Sequence, residues 1–120
     1  MNPAEEYILK QPEPFKSILL HLQVVIETTL SDVELLFKWK LPFYYEGKNF
    51  ICYLNVTKGY VDVGFPAAQY FTKHLDKLYA DKRKYVKSLR YQKKEDIDDQ
   101  ILIEVLEQAY KFRKEKFITD

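Results

Sequence analysis

The sequence predicts an α+β fold: one antiparallel sheet of about five strands, with N-terminal and C-terminal helices packed on it. Three observations carry that prediction. Apolar residues recur every three or four positions near both ends, and every second position through the middle. Short turns with Gly or Pro separate the alternating runs.

Asn2-Pro3-Ala4-Glu5 reads as a helix start, with Asn2 as the cap, Pro3 at the first helical position and Glu5 able to return a bond to the cap. This short helix carries Tyr7 and Ile8 and stops ahead of Pro12, because the residue before a proline avoids helical dihedrals. Pro12-Glu13-Pro14 opens a longer helix. Its apolar stripe is Phe15, Ile18, Leu19, Leu22, Val25 and Ile26, opposite Lys16, Ser17, Gln23 and Glu27.

After Ser31-Asp32 the period becomes two. Val33, Leu35, Phe37, Trp39 and Leu41 alternate with Glu34, Leu36, Lys38 and Lys40, so a strand with one buried face ends at Pro42 or runs along a sheet edge. Phe43-Tyr44-Tyr45 and Asn49 to Val56 form a hairpin turning at Gly47. In its second arm Phe50, Cys52, Leu54 and Val56 share one face, and Ile51, Tyr53 and Asn55 the other. A turn at Thr57-Lys58-Gly59 leads to a strand from Tyr60 to Phe65, ended by Pro66.

Ala67 to Tyr79 reads as a helix with Phe71, Leu75 and Leu78 inward, and Tyr85 to Tyr91 as a last strand. Glu95-Asp96-Ile97-Asp98-Asp99 brings acids to a helix N-terminus, where the macrodipole favours them. That helix carries Ile101, Leu102, Val105, Ala109 and Phe112, with Lys111, Arg113, Lys114 and Lys116 near its end. No repeat or linker divides the chain, so residues 1–120 are read as a single domain.

The composition excludes several classes. With 120 residues, 47% hydrophobic and 31% charged, the chain is globular rather than disordered. About two thirds of its unfolded surface is buried on folding, enough for one core. Its apolar runs are too short to span a membrane. The start Met1-Asn2-Pro3-Ala4-Glu5-Glu6 is polar and acidic where a secretory signal is basic and then apolar, so a cytoplasmic location is expected. A lone cysteine, Cys52, excludes an internal disulfide and a multi-cysteine zinc site.

The net charge of +1 hides an uneven distribution. Residues 73 to 94 hold nine basic side chains against Asp76 and Asp81, between two segments in which acids outnumber bases. The segment interleaves Tyr79, Tyr85 and Tyr91, as a single-strand nucleic-acid binder would. The near-neutral whole, with no ribonucleoprotein signature, zinc finger or helix-turn-helix, argues against nucleic acid as a partner. Intramolecular charge balance is the plainer reading.

No catalytic constellation is visible, so a non-enzymatic protein is expected. His21 borders an apolar stripe, His74 lies among lysines, and Cys52 alternates with core residues as a small hydrophobe. Gly47, Gly59 and Gly64 are too far apart to cradle a phosphate. Glu95, Asp96, Asp98 and Asp99 are dense enough to attract a hard cation, or equally to cap a helix. Glu5, Glu6 and Glu13 form a weaker acidic group.

Aromatic residues make up 16% of the chain. Trp39, Phe43, Tyr44, Tyr45 and Tyr53 gather around the first hairpin, and the adjacent Tyr44 and Tyr45 face opposite sides of a strand. An aromatic second sheet face is covered by a helix, paired with another subunit, or used for a ligand. Trp39, Tyr44, Tyr45 and Tyr53 are therefore the candidate ligand or partner face.

Trp39-Lys40-Leu41-Pro42-Phe43-Tyr44, Phe50 to Leu54 and Val61-Asp62-Val63-Gly64-Phe65-Pro66 resemble the bacterial YdhG-like proteins, a group of small domains of unknown function. The basic run Lys87-Ser88-Leu89-Arg90 and the helix start Glu95-Asp96-Ile97-Asp98 fit the same pattern, so the resemblance spans nearly the whole chain. It implies a frataxin-like fold and, since one member is described as an intracellular iron chaperone, a role in iron delivery. On that reading Fe(II) is bound weakly by surface carboxylates and passed to iron–sulfur or haem assembly proteins. The acidic ridge of frataxins would fall here on Glu5, Glu6, Glu13, Glu27, Asp32 and Glu34, diluted by Lys10, Lys16 and Lys38. Two readings are carried forward: a frataxin-like iron chaperone with Glu95, Asp96, Asp98 and Asp99 as metal ligands, and an interaction module, in one form a homodimer, using the aromatic face.

Overall fold

The turns decide how the middle of the chain folds. In the computed structural model, which describes residues 2–115, three two-residue turns fold four strands into a meander. The strands are β1 (Glu34–Lys38), β2 (Leu41–Glu46), β3 (Asn49–Thr57) and β4 (Tyr60–Phe65). Gly47 opens the second turn at φ 58 and Gly59 closes the third at φ 85, the left-handed region that hairpin turns require. The first turn has no glycine: Trp39 and Lys40 adopt φ 50 and φ 64 themselves. The first strand thus ends at Lys38, and Pro42 sits inside β2 opposite Phe37. β5 (Lys87–Tyr91) adds to β4, giving the order β1-β2-β3-β4-β5 with every neighbour antiparallel.

Three helices cover one face of this sheet. α1 (Pro3–Leu9) has the expected cap and first residue, with Asn2 Oδ1 accepting from the Ala4 amide at 2.7 Å and Pro3 opening the helix. α2 (Phe15–Thr29) is secured by Glu13, whose carboxylate accepts from the Ser17 amide and hydroxyl, both at 2.9 Å. Asp98 caps α3 (Asp99–Lys111) by accepting from the Ile101 amide at 3.1 Å. The expected basic helix end is present in Lys111, while Lys116 lies outside the described residues. Ile18, Leu22 and Ile26 of α2 and Leu102, Val105 and Leu106 of α3 meet Leu54, Val61, Val63, Phe65 and Leu89 of the sheet in one core. Among the described residues no helix is long and apolar enough to cross a membrane.

Two expectations fail, for identifiable reasons. Residues 67 to 79 do not form a helix but two short 3-10 turns, Ala68–Tyr70 and Leu75–Lys77. Gln108 of α3 accepts from the Thr72 and Lys73 amides at 2.8 and 3.0 Å, taking donors that a helix would spend internally. Tyr79 then exchanges two backbone bonds of 2.9 Å with Ser88, drawing the segment along the β5 edge. Phe71 is in the core as expected, but Leu75 is half exposed.

The second failure is in β3. Tyr44 pairs with Cys52 and Tyr45 with Phe50, so Ile51 is an extra residue, a β-bulge. Strict alternation predicts Phe50 inward and Ile51 outward. Beyond the bulge the phase reverses: Ile51 is buried beside Cys52 in the core, and Phe50 turns to the opposite face.

Candidate functional site

The face of the sheet away from the helices has two halves. The first, on β2 and β3, is a stack of rings. Phe43 lies at its centre, with centroids 4.9 Å from Phe50, 5.3 Å from Tyr53 and 5.1 Å from Trp39. Tyr45 closes the stack at 5.9 Å from Phe50, and the Lys38 ammonium rests 4.5 Å from the Tyr45 ring. The bulge makes the cluster possible, since without it Phe50 could not share a face with Tyr53 three positions on.

Of the four aromatic residues singled out from the sequence, this half brings together Trp39, Tyr45 and Tyr53. Tyr44 leaves the set. It is fully buried on the helix side, and its hydroxyl donates to Glu27 at 2.8 Å. Burial, and then that bond, pushes its phenol well above the ordinary tyrosine range. Trp39 is the reverse case, 74% exposed at the tip of the first hairpin.

The second half, on β4 and β5, is a charge network that sequence reasoning missed. Asp62 is only 4% exposed and accepts from Ser88 Oγ and Arg90 Nε, each at 2.8 Å. Arg83 arrives from the segment before β5, its Nη1 3.1 Å from the Tyr53 hydroxyl and 3.5 Å from Asp62. Arg90 also pairs with Asp81 and lies between the Tyr60 and Tyr79 rings, 4.7 Å from each centroid. Its bond holds the Asp81 carboxyl below its ordinary value, and the Arg90 guanidinium stays charged. A signal existed: an aspartate inside Val61-Asp62-Val63-Gly64-Phe65 must meet cations, because a buried lone carboxylate is too costly. Arg83 was not legible as a partner, since it lies outside any strand.

Gly64 joins the halves. A Cβ there would stand 2.2 Å from Tyr53 Cε1, so the Tyr53 ring lies directly over the β4 backbone. Arg83 holds the far end of that ring in the network. Burial raises the Tyr53 phenol above its usual range against the pull of the neighbouring guanidinium.

The acidic group splits up. Asp96 accepts from the Gln92 and Lys93 amides at 3.2 Å, Asp98 caps α3, and Asp99 pairs with His21 Nε2 at 2.7 Å. Glu95 is exposed. Among the described residues no three His, Cys, Asp or Glu side chains gather as a metal site. His74 is paired rather than free, its Nε2 2.6 Å from Glu104. Cys52 is enclosed in the core, and burial drives its thiol far from the thiolate form. The basic segment loses Arg83 and Arg90 to the two aspartates.

Comparison with known proteins agrees with this architecture. The crystal structure of YdhG from Bacillus subtilis, a protein of the DUF1801 family, superposes with a TM-score of 0.67 at 16% identity, over 97% of this chain and 96% of that one. The resemblance to YdhG-like proteins is thereby borne out, and with it the α+β fold. The frataxin likeness finds no support in these matches. No curated protein matches the chain. A family model for a domain of unknown function, DUF5655, matches residues 4–113. The chain therefore belongs to the DUF5655 family and shares its fold with YdhG.

Proposed function

We propose that the chain is a small non-enzymatic binding module that takes a protein partner on the aromatic half of its outer sheet face. The observation that carries this reading is Trp39, the single tryptophan of the chain. Its ring is exposed, its backbone sits in a region that bulky side chains avoid, and it rests against a ready-made stack of aromatic rings. Strained backbone of this kind persists where recognition makes use of it. An exposed tryptophan at the end of an aromatic patch is a residue type that binding hot spots favour. Lys38 and Lys40 flank it, so the partner offers an apolar anchor beside acidic groups.

The competing reading is a frataxin-like carrier of Fe(II) serving iron–sulfur or haem assembly proteins. It has the weaker support, because Asp96, Asp98 and Asp99 are engaged with backbone amides and His21.

Selection from a random peptide-display library tests the proposal. A common motif with acidic and apolar positions, whose affinity falls at least about tenfold on Trp39→Ala, is the expected result. Motifs indifferent to Trp39→Ala would sink the aromatic-face reading. Anaerobic calorimetry with ferrous iron beside magnesium tests the alternative, for which saturable heat with iron alone is required.

A further inference from the structure

β1 is one edge of the sheet, paired only with β2. A two-residue turn makes Lys38 and Leu41 a hydrogen-bonded closing pair. Alternation then points the backbone groups of Glu34, Leu36 and Lys38 at β2, and leaves those of Leu35 and Phe37 facing the open edge. The side chain of Asn2 marks that edge, donating from Nδ2 to the Leu35 carbonyl at 2.9 Å and leaving its second lone pair. Beside it lies an open groove of about 300 Å³, bordered by Asn2, Glu5, Gln23 and Glu27.

The geometry points to a second copy of this chain as the occupant of that edge, paired antiparallel about a two-fold axis through Leu36. Glu34-Leu35-Leu36-Phe37-Lys38 is self-complementary about its centre. In this register Glu34 stands across from Lys38 of the second copy, and Lys38 across from its Glu34. Leu36 meets Leu36, and Leu35 meets Phe37 on the helix side of the sheet. The backbone agrees independently: Leu35 and Phe37 then form the hydrogen-bonded pairs, and they are the residues whose N–H and C=O groups face outward. Phe37, 41% exposed in the single chain, gains a neighbour in Leu35. Lys38 shifts from the Tyr45 ring to a carboxylate. A shift by one residue breaks both matches, setting Glu34 or Lys38 against apolar positions and the outward amides of Leu35 and Phe37 against residues whose backbone groups face β2. The product is a ten-stranded sheet with two Trp39 tips on one continuous outer face. This pairing is separate from the reading of the aromatic half and does not rest on it.

Sedimentation of the full chain from about 1 µM to about 1 mM reads the equilibrium directly. Wild type is expected to associate to a dimer within that range. Glu34→Lys and Lys38→Glu, each alone, set like charges across both ends and weaken the dimer about tenfold or more. The double variant E34K/K38E restores the opposite pairs and returns the dimer to near wild-type strength, a rescue that misfolding cannot imitate. Phe37→Pro removes an outward donor without touching the ladder to β2, and is expected to abolish the dimer while leaving the circular dichroism unchanged. A monomer throughout the range overturns the proposal. So does a dimer that ignores the charge reversals, or one that dissolves on Trp39→Ala alone, since either places the contact elsewhere.

Discussion

The two faces of the sheet solve the same problem with different chemistry. The helix side is largely aliphatic and closed, with Leu54, Val61, Val63, Phe65 and Leu89 buried beneath α2 and α3. Among the described residues no helix lies over the outer side. Its rings cover one another instead, and its buried Asp62 is neutralised by two arginines, one of them from a segment outside the sheet. The difference teaches that a face can be shielded from water without being part of the core. Shielding by rings and ion pairs leaves polar handles and an exposed indole at the surface, where a partner can reach them.

That contrast can be broken by mutation. Phe65→Ala, emptying a fully buried site between sheet and helices, is expected to cost about 4 kcal/mol in urea unfolding. A loss below about 1 kcal/mol would mean the helix side is no better packed than the outer side. Asp62→Ala leaves Arg83 and Arg90 without their shared carboxylate, and a loss of about 3 kcal/mol is expected. If the loss matches that of an exposed ion pair, the network is solvated and the outer face is ordinary surface. Gly64→Ala drives a methyl group into the Tyr53 ring, at about 2 kcal/mol. Most of that cost should vanish in a Tyr53→Ala background, and a cycle without coupling would refute the contact.

Trp39→Asn with Lys40→Gly should go the other way. An Asn-Gly pair suits this turn, so thermal melting should show a gain of about 1 kcal/mol while peptide binding is lost. The smallest effect is acid sensitivity. Bonds from Arg113 to Glu46, from Arg90 to Asp81 and from Gln100 and His74 to Glu104 hold all three carboxyls below their ordinary values. Groups lowered in this way contribute stability above the unfolded values of 3.8 and 4.5, and that contribution is lost as pH falls through the folded ones. Urea midpoints should therefore decline below about pH 4.5 and be flat just above it. A midpoint that rises on acidification would contradict all three pairs.

Periodic segments were legible from the sequence. Asn2 and Pro3 at α1, the stripe of α2, the meander and Leu89 and Tyr91 in β5 follow from spacing alone. What alternation could not reveal was a break in its own phase. The extra residue at Ile51 leaves no mark in composition, yet it decides that Phe50 joins the outer rings. The segment 67–79 misled for another reason: its apolar spacing suits a helix, but its backbone donors are claimed from 35 or 36 positions away by Gln108. Trp39 was legible as a candidate residue, though not as a turn, because neither Trp nor Lys favours the left-handed region.

Gln108 has a consequence in time as well as in space. The Thr72 and Lys73 amides find their acceptor on a helix that is synthesised after them, and Gln108 returns a bond to the Lys73 carbonyl. Those two amides lack this acceptor until α3 is in place, so the path of the chain at Thr72 and Lys73 depends on the last helix. A helix made after this loop thus helps to fix it, alongside the Tyr79–Ser88 pair that ties the loop to β5.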